Sequence, residues 1–589
     1  MEVILQVFYS VFSGAILSAA IPNEILMFGA PYLTLVAFIP FYLCLLRCRT
    51  FAQAFRAGFI QAITAHLISS FWLAYFKDFA IFTLGASAVG TGFIGGFMGF
   101  VYYLPLSSSV CATPLSHDSA TARFFITPSF RAVYFASAYT IYEWIKSSGF
   151  LGYPWGTVSS AMFRWPVIMQ VSSITGTYGI TFLIVLLNAV LAEKFLIFFS
   201  RAGKITGSAR QSHLENAVNL SLALAFCALA YGIFQYNVPR KIIKTFTAVL
   251  VQQNADPWKQ SSDDESILLS QALTEKTLVE LRESGKKADL VVWSEGVLAT
   301  AFPHGASYYR RNPQERPLIN FIKENGIPLL AGGSFIKNAG KKQINNAALF
   351  FDGDGNFRGH YAKNHLVPFA EVIPFAEVPA VSNFLKKAVG ISAGWTPGDQ
   401  YVYFDFPAAP TEHYRLPAVR NIDITEDFAQ QQRDASEEVK VRICTPICFD
   451  DAFTDIMRPL FLNGAEVFLN ITDDSWSLKA SSEIQHFVIA SYRAIEYRTT
   501  LVRCANAGYS VVVDASGRII ADMPLFAADA MTAEIPVFNR TMTTYARWGN
   551  WLPYTLIVLV LAYMAYSIIT FEASDYIPSE RKRNRKSRK

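Results

Sequence analysis

The strongest constraint on this chain is a series of apolar runs in its first 240 residues. They lie at roughly 3–20, 27–46, 57–76, 83–105, 128–146, 168–192 and 217–236, and an eighth spans about 551–571. Each approaches the ~20 residues that a helix needs to cross the hydrocarbon core of a bilayer. Only a helix or a closed barrel can satisfy its backbone there, so the expectation is an α-helical membrane bundle of about eight crossings. Only 16% of residues are charged and 52% are hydrophobic, against about 25% charge in a soluble domain. Ser18-Ala19-Ala20 could mimic a signal-peptide cleavage site. However, Glu2 and no Lys or Arg precede the run, and further apolar runs follow at once, so a retained first helix is expected.

Charge placement orients the set. Arg47, Arg49 and Arg56 flank one loop, and Lys194, Arg201, Lys204 and Arg210 populate the loop before the seventh run. The basic block Arg581–Lys589 follows the eighth. By the positive-inside rule all three are cytoplasmic. Seven crossings from a cytoplasmic N-terminus leave residue 240 outside, and the eighth returns the chain. Three regions are expected: 1–239, a seven-helix membrane domain; 240–545, an extracytoplasmic catalytic domain; and 546–589, a final crossing with a basic cytoplasmic tail. The net charge of +5 and the position of the basic block fit a membrane flank, and no nucleic-acid module is visible.

The middle region reads as soluble α/β. Residues 246–253 and 289–293 are β-rich, and a polar helical stretch at about 264–285 lies between them. Further strands are expected at 328–333, 346–351, 440–448, 466–471 and 509–514. Phe351-Asp352-Gly353-Asp354-Gly355-Asn356 is a hairpin turn signal. Strands alternating with helices argue for a layered fold. Residues 407–439 read as a polar surface insertion.

Three polar residues stand at or after apolar strands: Glu295 after Val-Val-Trp-Ser, Lys363 after 357–362, and Cys448 at the end of Val-Arg-Ile-Cys-Thr-Pro-Ile-Cys. Each has an ordinary structural explanation: a cap or salt bridge, a solvated amine, a core thiol. The seven cysteines form neither a disulfide framework nor a paired zinc motif. Cys444 and Cys448, four apart on one expected strand, would stand ~13 Å apart, too far for a disulfide. No metal and no cofactor is implied.

Taken together, the residues resemble the carbon–nitrogen hydrolase (nitrilase) superfamily and, within it, the apolipoprotein N-acyltransferase family. The resemblance rests on Trp293-Ser294-Glu295, on KNHLVPFAEVIP from Lys363 to Pro374, and on Ile447-Cys448-Phe449-Asp450. NITDDSW from Asn470 to Trp476, Gln485-His486, RAIEYR from Arg493 to Arg498 and Asn506-Ala507-Gly508 also match. In the membrane half, Glu143-Trp144 and GYPWGT from Gly152 to Thr157 look like a loop of that family. This chain departs from the pattern at Ser294 (usually Pro), Phe449-Asp450 (Tyr-Glu), Asp473 (Asn) and Ser477-Leu478 (Phe-Gly).

The resemblance implies a nitrilase-type αββα sandwich with a catalytic Glu295, Lys363 and Cys448. Cys448 would be the nucleophile, Glu295 its base, and Lys363 the cation that stabilises thiolate and oxyanion, with a backbone N–H near residue 449 as second donor. Glu371 and Phe449 would support the site, and Trp476 would line the substrate path or pack in the core. His365 and His486 match motif positions with structural roles. The implied reaction is phospholipid-dependent N-acylation of a diacylglyceryl-cysteine apolipoprotein through a thioester. The partners would be a phospholipid donor, the diacylated prolipoprotein and membrane lipid, in the inner membrane of a bacterium with the catalytic domain in the periplasm. Two alternatives stand beside it: a membrane-tethered nitrilase-type amidase, and a transporter or scaffold with an inactive nitrilase domain. Little intramembrane charge beyond Glu143 and His66 lies within the apolar runs to support the last.

Overall fold

A computed structural model describes residues 1–76, 81–106, 127–201, 208–259, 262–372, 378–379, 383, 394–408 and 440–576. The basic block at 581–589 and almost all of the expected insertion at 407–439 lie outside them. The chain divides into two compact units, Met1–Phe234 with Asn550–Lys589, and Gln235–Gly549.

The first unit is helical. Among the described residues four helices are long and apolar enough to cross a membrane: Glu2–Ala20, Thr83–Leu104, Tyr178–Leu196 and Leu214–Asn237. Pro31–Arg47 and Trp551–Ser567 are shorter apolar helices. Three expected runs prove discontinuous: in that at 57–76 the α-helix ends at Ser69 and a 3-10 turn, Phe71–Tyr75, follows. The run at 27–46 opens with an irregular stretch and a 3-10 turn, Pro31–Leu35, and becomes α-helical only over Ile39–Arg47. The run at 168–192 breaks at Gly176, whose φ is +65°, and its long helix starts at Tyr178. The helices Phe51–Ser69 and Ser87–Leu106 pack backbone to backbone. A methyl on Gly99 would stand 2.3 Å from the Ala54 carbonyl, the small-residue packing that joins helices in lipid.

The bundle interior is more ionic than the apolar runs suggested. Arg131 donates Nε–H and Nη2–H to the two oxygens of Glu193 at 2.9 and 2.7 Å, and the Tyr42 hydroxyl donates to the same carboxylate at 2.6 Å. These residues, like Glu143 and His66, are buried.

The second unit contains two six-stranded sheets. One has the order β12-β1-β2-β3-β4-β5, formed by Asp529–Phe538 (β12), Ile242–Gln252 (β1), Leu290–Phe302 (β2), Leu329–Asn338 (β3), Gln343–Phe351 (β4) and Phe357–Ala362 (β5). The other has the order β11-β10-β9-β8-β7-β6, formed by Ile519–Asp522 (β11), Val511–Val513 (β10), Thr500–Ala505 (β9), Val467–Thr472 (β8), Lys440–Cys444 (β7) and Tyr403–Pro407 (β6). β1, β2 and β3 are mutually parallel, as are β7, β8 and β9, and the outer strands are antiparallel.

Side-chain alternation sorts the strand residues into layers. Leu250, Leu290 and Val292 join Ile443, Leu469 and Val502 between the sheets. Val249, Val251, Val291 and Trp293 point the other way, against Ile267 and Leu278 of helix Asp263–Glu283 and Phe321 of helix Leu318–Asn325. Helices Thr454–Leu462 and Ala480–Tyr497 flank the second sheet, with the Tyr497 ring packed on Phe461 and Phe468. Helix Asp263–Glu283 starts in a full capping box between Ser262 and Glu265, typically stabilising by about 1 kcal/mol.

Candidate active site

Glu295 does not follow its strand but stands within it. Across the parallel pair, Trp293 faces Ala331 and Leu298 faces Gly333, so residues 294–297 bulge around the single Gly332. A bulge of this kind re-aims a side chain. It needs glycine opposite, because a Cβ on Gly332 would meet Glu295 Cα and Ser294 O at 2.5 Å. The Glu295 carboxyl then receives two hydrogen bonds: Asn346 Nδ2 donates to Oε1 at 2.6 Å and the Asp473 backbone N–H to Oε2 at 2.7 Å.

Lys363 follows β5, as the sequence predicts. Its backbone N–H donates to the Asn346 carbonyl at 2.9 Å. Its buried ammonium reaches Glu371 Oε1 at 2.8 Å and Glu295 Oε1 at 3.5 Å. Glu371 is itself anchored, since Oε2 accepts the Val367 N–H at 2.8 Å. One cation is thus held between two carboxylates, with Asn346 donating to both.

Cys448 is not on the strand expected to carry it. β7 ends at Cys444, and Cys448 opens a separate turn, Cys448–Ala452, with φ +46°. A non-glycine residue in that region costs on the order of 1–3 kcal/mol. Neighbouring bonds oppose the cost: Asn470 Nδ2 donates to the Cys448 carbonyl at 3.2 Å. Asp450 accepts the Ile447 N–H at 3.1 Å, the His365 N–H at 2.7 Å and the Tyr361 hydroxyl at 2.9 Å. Asp450 therefore joins the Cys448 turn to the loop that carries Lys363. Phe449 packs edge-on against His365 and Phe453. Trp476 is 43% exposed, so it is no core residue, and the Trp258 ring meets it edge-on while donating Nε1–H to its carbonyl at 2.9 Å.

The electrostatics follow from burial and three neighbouring charges. Burial, only partly opposed by Lys363, pushes the Glu295 carboxyl up to about 7. Burial likewise raises the Cys448 thiol well above its ordinary value against the pull of Lys363. For Lys363 burial acts downward, but the negative charge available at Cys448, Glu295 and Glu371 outweighs it and keeps the ammonium protonated. The resting thiol is therefore protonated, beside a carboxyl that exchanges protons near neutral pH and a permanent cation. This is the arrangement that general-base activation of a buried nucleophile requires.

Behind Cys448 stands a second buried network that sequence reasoning did not assemble. Arg503 bonds Asp451, and its Nη2 reaches Asp474 Oδ2 at 2.7 Å. His486 lies between the same two acids, Nδ1 at 2.6 Å from Asp474 and Nε2 at 2.9 Å from Asp451. Burial acts to lower His486, but the two carboxylates win and raise it to about 9. Asn346, Asp450, Asp451, Asp474 and Arg503 are scattered through the chain with no spacing in common. Only the quoted motifs around Cys448 and Asn470 hinted at some of them.

Residues 13–190 match the apolipoprotein N-acyltransferase N-terminal domain, and residues 248–541 match carbon-nitrogen hydrolase. Apolipoprotein N-acyltransferase 2 of Treponema denticola is 37% identical over 95% of this chain and 97% of its own length. The chain belongs to the apolipoprotein N-acyltransferase family. The Treponema pallidum apolipoprotein N-acyltransferase 2 is 33% identical over 92% of this chain and 91% of its own length. As a family member the chain is a membrane-bound acyltransferase, and its second unit is the nitrilase-type α/β domain of the superfamily. Among solved structures, a Helicobacter pylori carbon-nitrogen hydrolase is 18% identical, covering 49% of this chain and 89% of its own, with a TM-score of 0.32.

Proposed function

We propose that this enzyme transfers an acyl chain from a membrane phospholipid to the N-terminal amine of a diacylglyceryl-cysteine lipoprotein, through a thioester on Cys448. The observation that carries the reading is the Lys363 ammonium, held 3.5 Å from a Glu295 carboxyl that titrates near 7, with Cys448 within electrostatic reach of both.

In the first half-reaction Glu295 takes the thiol proton and Cys448 Sγ attacks the ester carbonyl of the phospholipid. Lys363 and a backbone N–H near residue 449 stabilise the oxyanion. Collapse breaks the ester bond, and the lysophospholipid alkoxide takes the proton from Glu295. In the second, the neutral amine of the acceptor attacks the thioester, Glu295 takes an N–H proton, and the departing thiolate receives it back. The products are an amide and the free enzyme. Glu371 positions Lys363, Phe449 supports the turn of the nucleophile, and Trp476 borders the acyl path. The reaction needs neither cofactor nor metal.

Membrane anchoring suits substrates held in lipid by about 0.8 kcal/mol per CH₂. We place about eight crossings in residues 1–239 and 546–589, with both termini cytoplasmic and residues 240–545 in the periplasm of a cell with an inner membrane. The test is intact mass spectrometry of the full chain incubated with phospholipid, beside Cys448→Ala. A fatty-acyl mass on the wild type alone, removed by hydroxylamine and chased onto a diacylated lipopeptide, supports the reading. No adduct on the wild type incubated with phospholipid and no acceptor overturns it, and release of free fatty acid without lipopeptide acylation favours the amidase alternative.

A further inference from the structure

Cys448 Sγ lies 3.9 Å from Asp474 Oδ1, and the same oxygen is 2.6 Å from His486 Nδ1. Thiol sulfur, carboxylate oxygen and imidazole nitrogen all fall within 4.8 Å of one another. This is a soft–borderline donor set of the kind that selects zinc-class cations over magnesium or calcium. Tetrahedral zinc, with bonds of about 2.0–2.3 Å, holds such donors roughly 3.3–3.5 Å apart. The sulfur–oxygen distance must close by about 0.4 Å and the nitrogen–oxygen distance open by about 0.7 Å, while sulfur and nitrogen, within 4.8 Å of each other, must close by up to about 1.3 Å.

The surroundings resemble the outer shell of a metal site. A ligating histidine commonly passes its second ring N–H to a carboxylate, and His486 Nε2 already faces Asp451 Oδ1 at 2.9 Å. Arg503 holds Asp451 and Asp474 in place from the other side. A further acid stands beside them. Glu483 is fully buried, and among the described residues neither of its oxygens has a hydrogen-bond partner. It shares the bare face of Gly508 with Asp474, because a Cβ there would meet Glu483 Oε2 at 2.4 Å and Asp474 Oδ2 at 3.4 Å.

We propose that Cys448, Asp474 and His486 form a binding site for a thiophilic divalent cation of the zinc class, which occupies the nucleophile and reversibly blocks acyl transfer. On binding, the S–H proton of Cys448 and the Nδ1–H proton of His486 leave to solvent, and bonds from Sγ, Nδ1 and Asp474 Oδ1 to the cation form. Two single positive charges depart for each double one that arrives, so the buried cluster keeps its net charge. No oxidation state changes. The blocking half of this inference rests on the acyl-transfer reading, and the binding half does not.

The test uses the chelator-treated full chain in detergent, titrated with Co²⁺ and, separately, Zn²⁺. The expected result is one Co²⁺ per chain with a thiolate-to-cobalt charge-transfer absorption that is absent in Cys448→Ser. His486→Gln, which removes a direct ligand, should weaken Co²⁺ binding by at least the roughly 10–100-fold that losing an outer-shell partner costs. Zn²⁺ should slow alkylation of Cys448 by iodoacetamide, followed on its peptide by mass, at least about tenfold, and chelator should restore it. No charge-transfer band, or alkylation unaffected by Zn²⁺, overturns the proposal. So does undiminished Co²⁺ affinity in folded His486→Gln, which would leave the thiol as sole ligand. If that variant does not fold, the wild-type alkylation result decides. Acyl transfer by the chelated protein is assayed in parallel. Transfer without cobalt binding sinks this inference alone, and cobalt binding without transfer sinks the functional reading alone.

Discussion

Asn346 donates one side-chain N–H to Glu295 Oε1 at 2.6 Å and lies 3.3 Å from Glu371 Oε1, so a single amide on β4 spans both acids that flank Lys363. Its bond to Glu295 favours the ionised carboxyl and opposes the upward pull of burial. In the proposed mechanism Glu295 acts as a base, so thioester formation by the wild type should rise with pH through about 7. Asn346→Leu removes that bond, and the rising limb should move to higher pH while the rate at pH 7 falls roughly 10–100-fold. The check is a pH–rate profile of single-turnover thioester formation. An unmoved limb would show that Asn346 does not set the proton affinity of Glu295.

Gly332 gives the bulge its room, with Glu295 Cα 2.5 Å from where its Cβ would be. Gly332→Ala should push Glu295 away from Lys363 and lower thioester formation about 100-fold, the scale expected for misplacing a reacting group by about 1 Å. A variant with wild-type rate and wild-type melting temperature would contradict this.

His486 titrates at about 9 in the fold against an ordinary value of 6.5. Because the folded value is the higher, its contribution to stability is fully present below about 6.5 and is lost as pH rises through about 9. The loss is on the order of 3 kcal/mol. Thermal unfolding of the full chain should therefore fall between pH 6.5 and 9, and His486→Gln should flatten that slope. The same slope in both proteins would assign it to other groups.

In the membrane unit, Arg131 and Glu193 form a buried pair. Glu193→Ala leaves an uncompensated buried cation and should destabilise by about 3–5 kcal/mol, whereas Arg131→Met with Glu193→Leu should cost far less. Melting in detergent of the two variants side by side tests this ordering.

The parts legible in the sequence were those written in local chemistry. Apolar runs of bilayer length revealed the membrane half. Strand alternation and the Asp352–Asn356 turn revealed the α/β half, and three short motifs named Glu295, Lys363 and Cys448. Where local patterns compete with packing, the structure departs from them. The apolar run at 27–46 contains Pro31, and its helix forms only after a 3-10 turn. Arg131 and Glu193 lie near the ends of their apolar runs, and only the fold pairs them.

The sequence by itself determined the family resemblance, the candidate residues Glu295, Lys363 and Cys448 and the apolar runs, because hydrophobic periodicity and motif spacing are properties of neighbours along the chain. Only the tertiary structure decided that Glu295 stands in a bulge within its strand opposite Gly332, that Cys448 sits in a left-handed turn, and that Arg503, His486, Asp451 and Asp474 form one buried charge network behind Cys448. The physical reason is distance along the chain: the proton affinities of Glu295 and His486 are set by burial and by charges tens of residues away, which come together only when the sheets pack.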